Sequence, residues 1–436
     1  MKPINVGLLG IGTVGGGTWD VLNRNAGEIE RRAGRAIRIT RVADKAIEHA
    51  RSVVKGRARV TSDAHEVTRA RDIDIVVELI GGYTVAKDLV LDAIRHGKHV
   101  VTANKALLAT HGNEIFAAAQ KKDVMVAFEA AVGGGIPIIK ALREGLSANR
   151  IEWIAGIING TSNFILSEMR DKGLAFSAAL KEAQKRGYAE ADPTFDIEGV
   201  DAAHKLTILS ALAFGIPMQF KRAYTEGISK LTREDIAYAG ELGYRIKLLG
   251  ITKRTKKGVE LRVHPTLVPE KRLIANVEGV MNAILVKGDA VGPTLYYGAG
   301  AGSQPTASAV VADLVDVTRL ITADPEHRVP HLAFQPDRLS DEPILSIEAV
   351  ETCYYLRMRV ADRPGVLADV TRILADSKIS IDAMVQKEPG EGAKRVDIVM
   401  LTHLALERNV NAAMARIAKL PAVAGGVTRI RLEQLL

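Results

Sequence analysis

The segment GYAEADPTFDIEGVDAAHKLTIL contains the residues of this sequence that are best suited to acid–base chemistry. Asp201 and Lys205 are four positions apart in a helical pattern, so they share one face of a helix. That face continues into Ile208, Leu209 and Leu212, which predicts that the lysine is partly withdrawn from water. Burial lowers the pKa of a lysine unless a carboxylate stabilises its charge, and Asp201 has the position to do so. Such a lysine can protonate a carbonyl oxygen while hydride arrives at carbon, whereas the alternative is an exposed ion pair of little energetic value.

Three other charged residues are candidates for the same site. Glu190 and Asp196 lie on the irregular segment before this helix, where they can hold the ammonium group of a substrate. Lys105 follows the fourth strand-like run, in Thr-Ala-Asn-Lys. Ligands of open parallel sheets bind beyond the carboxyl ends of the strands, so Lys105 is expected to point toward the nicotinamide end of a cofactor. The alternative is a surface lysine at the start of a helix.

A glycine-rich turn near the beginning of the chain predicts a dinucleotide site. In GLLGIGTVGGG, Gly10, Gly12 and Gly15 match G-x-G-x-x-G between an apolar strand and a helix, with Thr13 and Val14 inside the motif. The first glycine permits a sharp turn, the second lets the backbone approach a pyrophosphate, and the third lets helix and strand pack closely. The pyrophosphate then lies at the helix N-terminus, whose N–H groups and dipole favour negative charge. The alternative is a glycine turn that binds nothing.

The choice between NAD and NADP stays open at this stage. Asp44 ends the second strand-like run and can accept hydrogen bonds from the ribose of NAD, whereas Lys45 or Arg41 can hold the extra phosphate of NADP.

The elements around these residues indicate an α/β protein with several domains. Strand-like and helical runs alternate at the beginning of the chain, which predicts a Rossmann-type, doubly wound parallel sheet. An α+β substrate domain follows, and the last segment has the βαββαβ order of a ferredoxin-like unit. The predicted division is a dinucleotide-binding domain over 1–130 with 306–328 packing back on it, a catalytic and dimerisation domain over 131–305, a linker over 329–350, and a regulatory domain over 351–436.

Composition limits the class of protein. The 436 residues are too many for one hydrophobic core, and 47% hydrophobic with 25% charged residues is typical of globular proteins. We find no membrane-length apolar run and no export signal before Ile4, and the single cysteine cannot form an internal disulfide, so a cytoplasmic protein is expected. The net charge is +8, but the basic residues are scattered along the chain, which favours small anionic ligands over nucleic acid.

Other readings of the sequence find less support. Cys353 is the only possible thiolate nucleophile and lies in the C-terminal segment, which disfavours an aldehyde dehydrogenase that forms an acyl-enzyme. Tyr83 and Lys87 match the Y-x-x-x-K spacing of short-chain dehydrogenases, but too early in the chain. A redox-sensing regulator that binds dinucleotide, amino acid and DNA is the rival class, yet we find no helix-turn-helix and no basic arm.

Several motifs together resemble one family. GLLGIGTVGGG, TANKALLA, FEAAVGGGIPII, GIINGTSNFIL, GYAEADPTFDIEGVDAAHK and YYGAGAGSQPTAS occur in the order and approximate spacing of homoserine dehydrogenases, over nearly the whole chain. The resemblance implies NAD- or NADP-dependent interconversion of L-homoserine and L-aspartate 4-semialdehyde, on the pathway to threonine, methionine and isoleucine. NADP-preferring members often carry an arginine where this chain has Asp44 or Lys45, so both cofactors remain open.

The resemblance also implies roles for single residues. Lys205 is the implied proton donor, Lys105 lies near cofactor and substrate, and Glu190 and Asp201 take part in substrate binding and proton exchange. From the residues alone, a glycine turn after a strand is weak evidence for a cation site. The family nevertheless implies a sodium site, formed by the Glu129 carboxylate and the carbonyl oxygens of Val132, Gly134 and Ile136.

The C-terminal segment VADRPGVLADVTRILADSKISIDAM resembles an ACT domain, a module that binds amino acids at paired interfaces. Its strand-to-helix turn, Asp362, Arg363, Pro364 and Gly365, offers helix N–H groups to a ligand carboxylate. The resemblance implies threonine as an effector and a homo-oligomer, either a dimer or a tetramer. Because the predicted dinucleotide domain begins at residue 4, we expect a monofunctional enzyme without an aspartate kinase fused in front of it.

Overall fold

The computed structural model describes residues 2–324, 328–387 and 394–435. The strands are β1 Ile4–Leu9, β2 Ile37–Ala43, β3 Arg59–Thr61, β4 Ile75–Glu78, β5 His99–Thr102, β6 Val126–Ala127, β7 Ile151–Ile157, β8 Tyr224–Thr225, β9 Tyr244–Thr255, β10 Gly258–Pro269, β11 Met281–Gly288, β12 Gly292–Ala299, β13 Glu351–Ala361, β14 Ile381–Gln386, β15 Arg395–Thr402, β16 Ala405–Leu406 and β17 Val423–Leu432. The helices are α1 Thr13–Arg24, α2 Ala26–Ala33, α3 Ile47–Val54, α4 His65–Thr68, α5 Thr84–Arg95, α6 Lys105–Lys121, α7 Ile138–Lys140, α8 Gly160–Lys172, α9 Phe176–Lys185, α10 Thr194–Ile197, α11 Val200–Phe214, α12 Arg233–Glu241, α13 Ser303–Leu320, α14 Val366–Asp376 and α15 Glu407–Ile417.

The chain divides into two compact units. The first comprises Met1–Gly160, Asp201–Ala223 and Val280–Glu342. The second comprises Thr161–Val200, Tyr224–Gly279 and Pro343–Leu436.

The first unit contains the predicted parallel sheet, in the order β3-β2-β1-β4-β5-β6. The chain reverses its direction of progress across the sheet between β1 and β4, and this switch point is where such sheets bind ligands. The strands are short apolar runs because helices cover both faces of a parallel sheet. Leu9, Glu78 and Thr102, the last residues of β1, β4 and β5, pair with one another across the sheet, so the loops after these strands begin at one common edge.

The rest of the first unit contains strands that are not part of the parallel sheet, together with two long helices. β7, β11 and β12 form antiparallel pairs, and α11 follows in the same unit. The long helix α13 belongs to the hydrophobic core of the parallel sheet, to which it contributes Ala307, Val310 and Leu314. Gly17 permits the close approach of α1 to α13, since a Cβ at this position would lie 2.5 Å from the Ser303 hydroxyl oxygen.

The second unit contains the predicted ferredoxin-like fold. Its antiparallel strands run in the order β17-β13-β15-β14, with α14 and α15 contributing to a core of their own. β10 pairs with β17 and with β9, so the sheet of the C-terminal module continues into these two long strands of the same unit. The predicted fold class is therefore confirmed in its α/β sheet and in its C-terminal module.

The hydrophobic pattern of the sequence predicts one helix from Val14 to Arg32, a strand over 124–130 and a helix over 138–146, and the structure differs at each of them. The first helix is broken at Asn25, a residue type that favours helix ends and turns over helix interiors. The strand expected over 124–130 is only Val126–Ala127, because a 3-10 turn begins at Glu129. The helix expected over 138–146 continues as a π-helical turn after Lys140.

Within the described ranges, no helix is both long enough and apolar enough to cross a lipid bilayer.

Two neutral imidazoles hold the edge of the parallel sheet at β6. The N–H of Met125 donates to His99 Nδ1 at 2.9 Å, and the N–H of Val126 donates to His331 Nε2 at 3.1 Å. Burial lowers the pKa of both imidazoles to about 4, with Arg328 adding to the effect. Because a protonated nitrogen cannot accept a hydrogen bond, both contacts require the neutral form.

We predict that acid destabilises the protein through these histidines. The folded-state pKa of His99 lies below its ordinary value of 6.5, so the unfolded chain takes up the proton first, and stability that is present above pH 6.5 is lost as the pH falls toward 4. The loss reaches about 3 kcal/mol per histidine. His99→Asn keeps an acceptor oxygen but does not titrate, so thermal unfolding between pH 7 and 4 should show a flatter dependence of Tm on pH. The exposed His49→Asn is the control, and an unaltered slope in H99N would contradict the prediction.

Candidate active site

The glycine turn after β1 has the geometry of an anion cradle. Gly10 has a φ of +89°, and a Cβ at Gly15 would lie 2.1 Å from the Gly10 carbonyl oxygen, so both positions require glycine. A Cβ at Gly12 would meet nothing within 4 Å, so this backbone borders open space. Gly12 is also the N-cap of α1, with no side-chain cap hydrogen bond, which leaves the N–H groups around Thr13 and Val14 to an outside acceptor.

A cavity of about 470 Å³ opens beside this turn. It is lined by the glycine turn, by Asp44 and Lys45 after β2, by Ser62, and by Ile80 and Val85 after β4. Its size and position, beyond the carboxyl ends of β1, β2 and β4, fit part of a dinucleotide.

Asp44 has a structural role that sequence reasoning missed. Its Oδ2 accepts the N–H of Ile11 at 2.8 Å, and its Oδ1 accepts the N–H of Ala46 at 2.8 Å. The carboxylate therefore braces the glycine turn against the end of β2. Of the two cations considered for a cofactor phosphate, Lys45 is exposed on the cavity wall, whereas Arg41 forms an ion pair with Asp72 at 2.8 Å.

A buried carboxylate, Glu78, organises the loops after β4 and β5. It accepts the Thr102 hydroxyl at 2.7 Å and the N–H of Ile80 at 3.0 Å, and burial raises its pKa. Asn104 then caps α6 by accepting the N–H of Leu107 at 3.1 Å. These contacts orient the start of α6, and with it the Lys105 side chain. The sequence Thr-Ala-Asn-Lys contains a residue suited to cap a helix, Asn104. The pairing of Glu78 with Thr102, in contrast, depends on the order of the strands and could not be predicted locally.

The structure brings together Lys105, Asp201 and Lys205. Asp201 Oδ1 lies 2.9 Å from Lys105 Nζ, and its Oδ2 lies 2.6 Å from Lys205 Nζ. Lys205 Nζ also donates to the Ile158 carbonyl at 2.7 Å, and Asn159 Nδ2 donates to Asp201 Oδ2 at 2.9 Å. The side chains of Lys205 and Asp201 are 10% and 4% exposed, whereas that of Lys105 is 35% exposed.

The alternative of an exposed ion pair is therefore excluded, because α11 is buried on every side from Asp201 to Phe214. Burial alone would raise the pKa of Asp201, but the ammonium groups of Lys205 and Lys105 outweigh it, so the pKa lies below its ordinary value. Burial also lowers the pKa of the neighbouring His204 to about 4, so this imidazole is neutral near pH 7. Asn159 was missed by sequence reasoning, although it follows an apolar strand in GIING.

The two predicted substrate-binding carboxylates belong to the second unit. Glu190 is an exposed residue on the segment after α9, and its carbonyl accepts Gln184 Nε2 at 3.1 Å. Asp196 lies in α10, and its carbonyl accepts the Ser162 hydroxyl at 3.0 Å.

The predicted cation turn contains a buried acid. The Glu129 carboxylate accepts the N–H groups of Ile139 and Lys140 at 2.9 and 2.8 Å. Burial raises its pKa to about 7, in spite of these bonds. Among the described residues, no Lys or Arg nitrogen forms an ion pair with it, and no cluster of three His, Cys, Asp or Glu side chains suited to a metal occurs. Val132 and Ile136 are buried and Gly134 has a φ of +54°, in a turn too tight for a side chain there.

The predicted effector turn, Asp362 to Gly365, is exposed. It ends at Gly365, the N-cap of α14, with a φ of +91° and no side-chain cap hydrogen bond. The first N–H groups of α14 are thus not capped by a side chain of the turn.

Three family matches cover most of the chain. Residues 10–129 match "Homoserine dehydrogenase, NAD binding domain", residues 137–315 match "Homoserine dehydrogenase", and residues 354–422 match "ACT domain".

Relatives and solved structures agree with these matches. The chain is 63% identical to the homoserine dehydrogenase of Pseudomonas aeruginosa and 60% identical to that of Neisseria gonorrhoeae, with 100% of each chain covered. The crystal structure of a homoserine dehydrogenase from Thiobacillus denitrificans is 73% identical, with a TM-score of 0.96 over 100% of this chain and 99% of that chain. The homoserine dehydrogenase of S. aureus has a TM-score of 0.77 at 33% identity, with 99% of each chain covered.

We predict that alanine substitutions at two neighbouring glycines, Gly15 and Gly16, differ in their effects on stability and on cofactor affinity. Gly15→Ala forces a methyl group against the Gly10 carbonyl oxygen and should lower Tm and weaken NADPH and NADH binding by roughly tenfold or more. Gly16→Ala is the matched control, because a Cβ there meets its nearest atom, the Ile11 oxygen, only at 3.7 Å. Cofactor fluorescence titration and thermal unfolding measure both effects, and equal affinities in G15A and G16A would refute the assignment.

Proposed function

The chain belongs to the homoserine dehydrogenase family, and from this premise we propose that Lys205, Asp201 and Lys105 carry the proton chemistry of its reaction. The activity is that of a nicotinamide-dependent oxidoreductase that interconverts L-homoserine and L-aspartate 4-semialdehyde. The observation that supports the residue assignment is the single buried carboxylate shared by two ammonium groups.

The charge of this cluster suits the transition state. One carboxylate faces two ammonium groups, so the site carries an excess of one positive charge. A bound dinucleotide supplies the hydride chemistry. As the semialdehyde carbonyl is reduced, its oxygen gains negative charge, which a positive site with little access to water stabilises strongly. Lys205 donates a proton to this oxygen, and in the oxidation of homoserine it accepts the hydroxyl proton.

Asp201 and Lys105 keep Lys205 ready for this role. Asp201 holds the lysine ammonium at 2.6 Å, and the Ile158 carbonyl fixes its direction from a second side. Lys105 compensates the Asp201 charge when Lys205 is neutral, so the carboxylate does not become an unpaired buried anion. Because Lys105 is more exposed than Lys205 and follows β5, we propose that it lies near both the cofactor and the substrate.

Glu190 and Asp196 are proposed to hold the substrate's ammonium group. Both carry carboxylates on the short segment before α11, and an amino-acid substrate needs such a negative partner.

The residues of the first unit fit a nicotinamide dinucleotide. The cradle at Gly12 and the uncapped start of α1 suit a pyrophosphate, and the adjacent cavity is large enough for the adenosine part. Lys45 favours NADP and Asp44 favours NAD, although the Asp44 carboxylate already accepts two N–H groups. We therefore propose a nicotinamide dinucleotide, either NADP or NAD, as the cofactor.

A sodium ion is proposed at the turn Glu129, Val132, Gly134 and Ile136. The support is the buried Glu129 carboxylate, which forms no ion pair within the described residues. Carboxylate and carbonyl oxygens are the ligands that hard cations prefer. Such an ion would stabilise the turn that precedes α7.

The ACT module is proposed to bind an amino-acid effector, threonine, at the turn Asp362, Arg363, Pro364 and Gly365. The uncapped N-terminus of α14 supports this, because its N–H groups suit a carboxylate. Such modules pair across subunits, so we propose a homo-oligomer, a dimer or a tetramer. A cytoplasmic location without nucleic-acid or membrane partners is part of the same proposal, as is the domain division given above.

We predict that Lys205→Met abolishes turnover while the protein stays folded. Removal of a proton donor should lower kcat by roughly 10² to 10⁴-fold. The assay follows oxidation of NADPH or NADH by aspartate 4-semialdehyde, and circular dichroism checks the fold. Lys98→Met is the matched control, since Lys98 is also buried and donates to a carbonyl, that of Ile73, at 2.7 Å. K98M should lose stability but keep its kcat, and an active K205M would remove Lys205 from its role.

We predict that sodium stabilises the protein through Glu129. Replacing sodium by choline at equal ionic strength should lower Tm by about 2–4 °C, as expected for loss of a weakly bound ion. Glu129→Gln should remove this difference. Glu78→Gln serves as control, because Glu78 is likewise a buried carboxylate that accepts backbone N–H groups. A sodium effect that persists in E129Q would contradict the proposed site.

A further inference from the structure

A cluster of two carboxylates and two guanidinium groups lies inside the second unit, with one member of each kind buried and the others partly exposed. Its charged members are Glu226, Glu407, Arg429 and Arg431, which we call the paired-arginine cluster. Arg431 is fully buried, with its Nη1 2.8 Å from Glu226 Oε2 and its Nε 2.9 Å from Glu407 Oε2. Arg429 contacts the same two carboxylates. Two carboxylates balance two guanidinium groups, so the cluster has no net charge. The Tyr224 hydroxyl donates a further hydrogen bond to Glu226 at 2.7 Å.

One side of the cluster belongs to the ACT module. Glu407 is the first residue of α15, and Arg429 and Arg431 lie on β17. The Tyr354 hydroxyl of β13 donates to Glu407 at 2.8 Å. A shift of α15 relative to β17 therefore disturbs the bonds of both arginines.

The other side of the cluster leads to the segment that carries the proposed substrate ligands. Directly after Glu226, a Cβ at Gly227 would lie 2.5 Å from the Ile197 carbonyl oxygen and 2.3 Å from the Glu198 carboxylate. The N–H of Ile228 donates to the Ile197 carbonyl at 2.9 Å. The backbone after Glu226 thus lies directly against the residues that follow Asp196.

A second buried ion cluster in the same unit lacks this connection. Asp235 at the start of α12 accepts Arg357 Nε at 2.7 Å and the Tyr355 hydroxyl at 3.2 Å. It also forms a capping box with Thr232. It joins the ACT module to α12, and α12 does not carry the proposed substrate ligands, so this cluster offers a matched comparison.

We propose that Glu226 is a positioning residue for the substrate segment Glu190–Gly199, and that the paired-arginine cluster thereby couples the ACT module to substrate affinity. The inference rests on the proposed role of Glu190 and Asp196. Arg431 is fully buried, so leaving it without a carboxylate is strongly unfavourable, and Glu226 must follow any displacement of Glu407 and β17. Glu226 in turn moves Gly227 and Ile228 against Ile197, and through this backbone contact it displaces the segment.

The first experiment separates positioning from general stability. Glu226→Gln in the full-length protein should raise the KM for homoserine by roughly two- to thirty-fold, the range of typical coupling effects, with kcat and the Kd of NADPH unchanged. Glu407→Gln should act in the same direction, and the double variant should show less than the product of the two effects, since both act through Arg431. Asp235→Asn should lower Tm to a similar extent without changing KM. Equal KM values in E226Q and D235N would overturn the proposal.

The second experiment needs no catalytic activity, so it distinguishes failure of this inference from failure of the proposed function. Hydrogen–deuterium exchange of residues 190–199 should be faster in E226Q than in the parent protein, and unaltered in D235N. Should E226Q fail to fold, Tyr224→Phe removes the hydroxyl that donates to Glu226 and accepts from Arg431, and it should give the same change in smaller degree. If the exchange of residues 190–199 is unaltered in both E226Q and Tyr224→Phe, the coupling is refuted, whether or not homoserine is the substrate.

Discussion

The first unit depends on the burial of Asp201 between two lysine ammonium groups. A lone carboxylate in this position would be protonated or would destabilise the fold, because burial disfavours the ionised form. Two cations and the Asn159 amide outweigh that cost and hold the pKa of Asp201 below its ordinary value. The same interaction joins the start of α6, the end of β7 and α11, so the structure that stabilises the acid also assembles the proposed catalytic group.

The parallel sheet makes this arrangement possible. Leu9, Glu78 and Thr102 end their strands in register, and the loops that follow therefore meet at one edge. At that edge the glycine turn presents bare backbone, while Glu78 and Asp44 stabilise the neighbouring loops with hydrogen bonds to N–H groups. Loops held in this way are already ordered before a ligand arrives, which lowers the entropic cost of binding and of positioning Lys105.

The second unit uses buried ion clusters in a different way. In the paired-arginine cluster and around Asp235, charges on β13 or β17 meet charges on other elements of the same unit. Replacing such clusters by apolar residues often leaves stability unchanged, so their value lies in fixing one arrangement of the elements. The ACT module is proposed to respond to an amino acid. A ligand can shift such a module to another conformation only if the module has defined conformations to begin with.

The local sequence determined most of the secondary structure and the position of the glycine turn. Hydrophobic period, glycine spacing and cap residues depend on neighbours in the chain, so the parallel sheet, the glycine turn and the helical face of Asp201 and Lys205 were all predictable from it. The break at Asn25 and the short β6 were not, because packing decides where a marginal helix or strand ends.

Only the tertiary structure decided which distant residues form ion pairs and hydrogen bonds with one another. The contact of Lys105 with Asp201, the pairing of Glu78 with Thr102 and the brace from Asp44 to Ile11 join residues that are 24 to 96 positions apart or lie on different strands. Strand order and burial set those distances, and the electrostatic energy of a group depends on the distances and on its exclusion from water. Residue types and spacing therefore pointed to Lys205 and Asp201 as the proposed acid–base pair, whereas their burial and their further partners followed from the fold.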